Sequence, residues 1–203
     1  MIIHRDIEQG TEQWLKLRAG TPTSSEYNKI ITTKGMPSKS RDGYLCELAG
    51  QRLSGVPGPH FQNAAMKWGN KYEPAARKMF QMQNEVEVEQ VGFITSDCGR
   101  YGFSPDGLVV GKKEGTEFKC PILATQKDRI ENGWELKTPY FQQVQGALLI
   151  SGYDLWHAYS YFPGAQPVHV KVYRDVEFQR ALYSELDRFC TDLDQLTERL
   201  KAA

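Results

Sequence analysis

The stretch Ser104-Pro105-Asp106-Gly107, leading straight into Leu108-Val109-Val110, most restricts how this chain can fold. Eleven residues after the aspartate comes Glu117, within Thr116-Glu117-Phe118-Lys119-Cys120, which closes at Pro121. A Gly-rich break from Gly111 to Gly115 separates the two segments. Turn residues between short apolar runs predict a β-hairpin. Residues i and i+2 of a strand share a face, so Glu117 and Lys119 point one way and Phe118 the other, into a packing layer.

The flanking sequence supplies helices for that layer. Trp14 to Leu17 reads as a short helix ended by Gly20, and Thr23 or Ser24 can cap a second with Glu26 in its first turn. Arg41 to Leu53 reads as helix stopped by Ser54-Gly55, and Gly55-Val56-Pro57-Gly58-Pro59 as a loop. Asn63 to Gln83 is helical, with Pro74 kinking it or starting a new helix. From Glu85 the period changes to two, with Val86, Val88, Val91 and Phe93 and a slip near Gln90. A helix follows Pro139, from Tyr140 to Ile150, and two strands follow it, Leu155 to Phe162 and Val168 to Tyr173. The last segment carries Leu182, Leu186, Phe189, Leu193, Leu196 and Leu200 at alternating spacings of four and three. That stripe fits a helix packed on its own sheet, or an oligomer seam. The order predicts an α/β fold, a central mixed sheet flanked by helices.

A chain of 203 residues with 40% hydrophobic content is expected to form one domain, residues 1–203. Lys+Arg and Asp+Glu are both 25, so the net charge is zero. This argues against a surface that coats DNA indiscriminately, while leaving room for a basic groove balanced by acids elsewhere. Cys46, Cys98, Cys120 and Cys190 are scattered, without the spacing of a zinc knuckle or iron–sulfur cluster. With no secretory h-region at Met1 to Asp6 and no run of transmembrane length, the expectation is a cytoplasmic protein with no membrane partner.

Two carboxylates and an ammonium converging on one point suit Mg²⁺ and an attacking water. Carboxylate oxygens hold a hard cation; lysine can orient the water, help deprotonate it, or stabilise charge on a phosphate. The Asp106…Glu117-x-Lys119 arrangement resembles that of metal-dependent nucleases. Charge is also common on exposed hairpin edges, so the hairpin taken alone reads more readily as a solvated edge than as a nuclease site.

Three further segments extend the pattern in matching order. They are Gly10 to Glu26, with Trp14 and Arg18; Lys67-Trp68-Gly69 through Glu73-Pro74 to Arg77; and Tyr140-Phe141-Gln142-Gln143-Val144-Gln145. With the hairpin, they resemble the lambda-exonuclease or YqaJ-type family of viral recombination nucleases, from about Gly10 to Gln145. The resemblance implies a PD-(D/E)XK, restriction-endonuclease-like core. It implies a Mg²⁺-dependent 5′-to-3′ exonuclease, in which Mn²⁺ substitutes, acting on linear double-stranded DNA. It implies 3′ overhangs, a phage single-strand annealing protein as partner, a homotrimer ring, and a bacterial host cytoplasm. By position, Asp106 and Glu117 match metal ligands, with the Phe118 carbonyl as a further oxygen. Lys119 matches the catalytic lysine, and Glu73, Gln143 and Tyr140 match active-site positions. Arg18, Ser25 and Ser104 match a pocket for the terminal 5′-phosphate, and Met66 falls where the family wedges an apolar side chain into the DNA fork. Asp97 has a shifted spacing and receives no role.

Each position also has a plainer reading. Trp14 and Met66 can be core. Arg18 can meet a helix dipole, Ser25 can cap a helix, Glu73 can be a helix-start acid, and Gln143 can lie on the surface. His4, His60, His157 and His169 lack ligand spacing, and His157 reads as a packed or edge residue rather than a base. Rival functions are an endonuclease of the same superfamily, which would need a sequence-reading segment, and a degenerate DNA-binding subunit, which would lack one of Asp106, Glu117 or Lys119.

Overall fold

The computed structural model describes residues 1–58 and 63–202. Pro59 and His60 therefore lie outside the described residues. In chain order the elements are β1 (Ile2–His4), α1 (Glu12–Arg18), a 3-10 turn (Ser24–Lys29), α2 (Arg41–Ser54), α3 (Ala64–Asn84), β2 (Val88–Glu89) and β3 (Phe93–Thr95). Then come β4 (Gly102–Phe103), β5 (Gly107–Val109), β6 (Glu114–Lys119), α4 (Leu123–Asn132), α5 (Tyr140–Ser151), β7 (Leu155–Ser160), β8 (Val168–Tyr173) and α6 (Val176–Lys201).

The strands form two sheets. The larger has the order β2-β5-β6-β7-β8 and the smaller β1-β3-β4. Among the strands of the described residues, only β6 and β7 run parallel, pairing Glu117 with Ala158 and Lys119 with Ser160. The parallel step requires a crossover, and α4 and α5 supply it. The slip expected near Gln90 is the place where the chain leaves the larger sheet after β2 and enters the smaller at β3.

The hairpin forms, but its turn is shorter than the glycines suggest. Gly111 sits in the turn at φ 76°, whereas Gly115 is inside β6, paired with Leu108. A Cβ on Gly115 would lie 2.3 Å from the Trp156 ring. This glycine is a packing choice, letting the fully buried indole lie against the strand.

Helix α3 runs unbroken through Pro74, capped by Asn63, whose side chain accepts from the Met66 N–H at 2.8 Å. The proline has no N–H to offer the carbonyl of Asn70, four residues earlier. Ala76 and Phe80 bury the inner face of α3 against Phe118 and Tyr159 of the larger sheet, with Phe80 edge-on to both rings. On the other side, α5 lies against the 3-10 turn, and α6 packs chiefly on α2 and then on α5, sharing one core with Ile94, Phe103 and Trp156 of the sheets. Leu182, Leu186, Phe189 and Leu193 are wholly buried within the chain, so most of the terminal stripe is used internally. Helix α4 and strand β1 are additions to the elements expected from the sequence. Among the described residues, no helix is long and apolar enough to cross a membrane.

Candidate active site

Strand β6 sets the chemistry by its pleat. Phe118 turns toward α3 and is buried, while Glu117 and Lys119 turn toward α5. Glu117 is 5% exposed. Its Oε1 accepts from Lys119 Nζ at 2.6 Å and from Gln143 Nε2 at 2.8 Å. The ammonium also lies 4.8 Å from the centre of the Tyr140 ring. Gln143 and Tyr140 are one helical turn apart on α5, and so reach the same strand together.

Asp106 enters from the turn before β5. Its Oδ2 accepts from the Phe118 N–H at 2.5 Å. Since β6 bonds β7 through Lys119, whose carbonyl accepts from Tyr161 N–H, alternation turns the backbone of Phe118 toward Asp106 instead. The turn is tied down by Gln9, whose Nε2 donates to the Pro105 carbonyl at 2.7 Å and the Val91 carbonyl at 2.9 Å. Gly107 follows because a Cβ there would lie 2.2 Å from Val88. Glu73 approaches from α3, ion-paired with Arg77. Trp68 anchors this end of α3 by donating to the Pro121 carbonyl at 3.2 Å.

These groups line one open cleft: Glu73, Asp106, Phe118, Lys119 and Tyr140, joined by Met66, Asn70, Cys120 and Arg129. Crowded negative charge leaves its mark there. Burial, then Glu117 and Glu73, push the Asp106 carboxyl well above the ordinary range. Burial, with Glu117 also contributing, raises Glu73 against the pull of Arg77. Lys119 is raised despite its burial, because Glu117 and Asp106 favour the ammonium. Burial, with Glu73 and Asp106, pushes the Cys120 thiol up to about 12, so it stays protonated.

A second cleft lies beyond Met66, which lines both and is 43% exposed, so it is not core. Its centre is Arg18. The guanidinium stacks 4.1 Å from the Trp14 ring centroid, and donates to Ser104 Oγ and Thr23 Oγ1, each at 3.4 Å. Ser25 Oγ is 3.3 Å from Thr23 Oγ1. Trp14 is buried and structural at once: its Nε1 donates to Ser104 Oγ at 2.9 Å and to the Gly92 carbonyl at 3.0 Å. No acid pairs with Arg18 among the described residues. The rim acids Glu26 and Glu47 are held by Lys29. Burial lowers the Arg18 pKa to about 10, which still leaves it charged at neutral pH.

The structure thus brings Asp106, Lys119, Tyr140, Glu73 and Phe118 to one cleft, with Glu117 bonded to Lys119 and Gln143 bonded to Glu117, and Arg18 and Ser25 to the other, with Ser104 bonded to Arg18. Thr23 belongs with the second group, although its sequence context suggested only a helix cap, and its side chain makes no cap hydrogen bond. Asp97 stands apart, 90% exposed and paired with the N-terminal ammonium. His157 is packed, between His169 and Glu114 at 2.9 Å each. Arg129 is a further cleft residue with no sequence signal to mark it.

The fold that carries these two clefts is shared with solved exonucleases. The alkaline exonuclease LHK-Exo of Laribacter hongkongensis superposes with a TM-score of 0.84 at 30% identity, over 95% of this chain and 97% of that one. The same exonuclease in complex with dAMP matches at 31% identity over the same shares. A phage-related exonuclease from Haemophilus somnus shares the fold, with a TM-score of 0.67 at 15% identity over 89% of this chain and 96% of that one. Residues 13–154, which hold both clefts, match the YqaJ-like viral recombinase domain, and the chain belongs to that family. It is also 27% identical over 165 residues to the uncharacterized protein R354 of Acanthamoeba polyphaga mimivirus; this covers 73% of the chain but only 28% of that longer protein.

Proposed function

We propose that residues 1–203 act as one nuclease domain, a Mg²⁺-dependent exonuclease that degrades one strand of linear double-stranded DNA from 5′ to 3′. The observation that carries this reading is the pairing of an acid–lysine cleft with an anion-seeking one across Met66. The first suits phosphodiester hydrolysis, and the second suits a terminal phosphate. The kinship with alkaline exonucleases supports the same reaction.

The donors fit a hard divalent cation. Among the described residues no three His, Cys, Asp or Glu side chains are disposed to hold a metal by themselves. A cation would rest on Asp106, Glu117, the Phe118 carbonyl and water, with Glu73 reaching the water shell. Carboxylates whose proximity raises their pKa gain from a cation, which removes the repulsion. Mg²⁺, or Mn²⁺ in its place, supplies Lewis acidity toward the phosphate and a more acidic water. Lys119 holds its proton on Nζ and acts as a donor, orienting the water or meeting charge on a non-bridging oxygen. Gln143 fixes the Glu117 carboxylate through Oε1, and Tyr140 offers its ring face to the ammonium. In the other cleft, the planar fork of Arg18 with Ser25, Ser104 and Thr23 grips the 5′-phosphate. Met66, exposed between the clefts, is the wedge that parts the strands.

The product is a 3′ overhang, on which a phage single-strand annealing protein acts in the cytoplasm of a bacterial host. Zero net charge gives one copy little long-range hold on DNA, so the working form is a homotrimer ring that keeps the duplex threaded. Incubation of linear duplex and covalently closed circles with Mg²⁺ tests the reaction. Linear DNA is lost from its ends while circles survive, and EDTA stops the digestion. Cleavage of closed circles, or activity in EDTA, overturns this reading.

A further inference from the structure

Arg129 has no role in the account above. It lies on α4, whose buried positions are not apolar but Gln126 and Arg129. Arg129 is 8% exposed. Its Nη1 donates to Ser160 Oγ at 2.8 Å, and Ser160 in turn donates to Gln126 Oε1 at 2.5 Å. The guanidinium lies 4.1 Å from the Trp134 ring centroid. It forms part of the wall that holds Asp106, Lys119 and Tyr140. No carboxylate pairs with it among the described residues, and the adjacent Asp128 instead accepts from Asn132.

Burying a guanidinium without an acid is costly, and native folds rarely do so without a compensating anion. Among the described residues, five arginines lack an ion-pair partner: Arg18, Arg129, Arg174, Arg180 and Arg199. The last three are exposed and solvated. The remaining two are withdrawn from water, each stacked on a tryptophan, each holding a hydroxyl, each lining one of the two clefts. A serine and an indole would position a neutral side chain as well, so neither accounts for the charge.

We infer that Arg129 is a substrate-positioning residue that grips a non-bridging oxygen of an internal backbone phosphate of the DNA strand lying in the acid–lysine cleft. This rests on the nuclease reading given above. The strand would then be held at two phosphates, the terminal one by Arg18 and an internal one by Arg129, the latter in the same cleft as Lys119 and Asp106. A fork on a stacked plane fixes direction as well as charge, which a lysine cannot do.

Neutral methylphosphonate linkages, placed one at a time along the first nucleotides of a 5′-phosphorylated strand, test this. In the wild type one position should lower kcat/KM about ten- to hundredfold, the range of a lost charge-assisted hydrogen bond. Arg129→Met should lower the rate on all-phosphate DNA similarly, chiefly in KM, with no further loss at that position and wild-type losses elsewhere. Arg129→Lys should recover part of the position-specific effect, and it provides the same comparison if Arg129→Met does not fold. Losses that multiply at every position, while the wild type digests DNA normally, overturn the role of Arg129 alone. A wild type that digests no DNA overturns the nuclease reading and this inference with it.

Discussion

In the cleft of Asp106, Glu117 and Lys119, negative charge is concentrated and only partly neutralised from within, by Lys119 and Arg77. In the cleft of Arg18, one positive charge is left with hydroxyls and an indole, and the nearby acids are occupied by Lys29. Both sites withdraw ions from water, a cost that folding alone does not justify. They differ in what would relieve that cost: a cation in the first, an anion in the second. Two complementary deficits on either side of Met66 support the proposed surface for a metal and a phosphate chain.

The sharpest way to break this comparison is to remove the acids. Asp106→Ala and Glu117→Ala should lower Mg²⁺-dependent cleavage on the order of 10³-fold or more, the scale seen when a central catalytic group is lost. Both should fold, as should Lys119→Ala, which should keep cation binding by calorimetry while losing turnover. Near-normal digestion by any of the three would remove the site from consideration.

The second cleft should respond more modestly and selectively. Arg18→Ala should slow digestion of 5′-phosphorylated duplex about ten- to hundredfold, which corresponds to about 1.5–3 kcal/mol for a charged hydrogen bond. It should have little effect on dephosphorylated ends, so the preference between the two collapses. Equal wild-type rates on both ends would discount the pocket without touching the nuclease.

The electrostatic contrast can be read without DNA. The folded-state pKa values of Asp106 and Glu73 are raised, so the folded chain binds these protons more tightly than the unfolded one. Stability in EDTA should therefore fall as pH rises from the ordinary carboxylate range, about 4, through the raised values. Asp106→Asn should flatten that slope, unfolding at higher urea than wild type at neutral pH and converging with it in acid. Mg²⁺ should stabilise the wild type and leave Asp106→Asn almost unmoved. A wild type that gains stability on deprotonation would contradict the crowded-acid picture.

The smallest effect is expected from inorganic phosphate, a weak stand-in for a DNA end. It should raise the melting temperature of the wild type by an amount set by mass action, about 1.4 kcal/mol at ten times its Kd. Arg18→Met should show no such gain. An identical shift in both proteins would mean that phosphate binds elsewhere.

Much of this is legible in the sequence. The alternation in Glu117-Phe118-Lys119, the Gly55 and Gly152 helix stops and the leucine stripe of α6 are local signals, set by backbone periodicity and by glycine's access to positive φ, and they hold wherever the segment packs. Helix α4 was not legible, because its buried side chains are Gln126 and Arg129 while Leu123 and Ile130 are exposed. That pattern is the inverse of a helix packed on an apolar core. Gly115 misled for a related reason: it is small because Trp156, 41 residues later, needs the space.

The sequence by itself determined which residues could do chemistry and on what kind of element each would sit. Side-chain type, strand alternation and helix spacing are properties of neighbouring residues. Only the tertiary structure decided that Glu73 and Gln143 reach one strand from two helices, that Thr23 joins Arg18 instead of capping a turn, and that Met66 stands exposed between two clefts. It alone left Arg18 and Arg129 without acids among the described residues. A charge's partner depends on distances across the fold, which no spacing along the chain encodes.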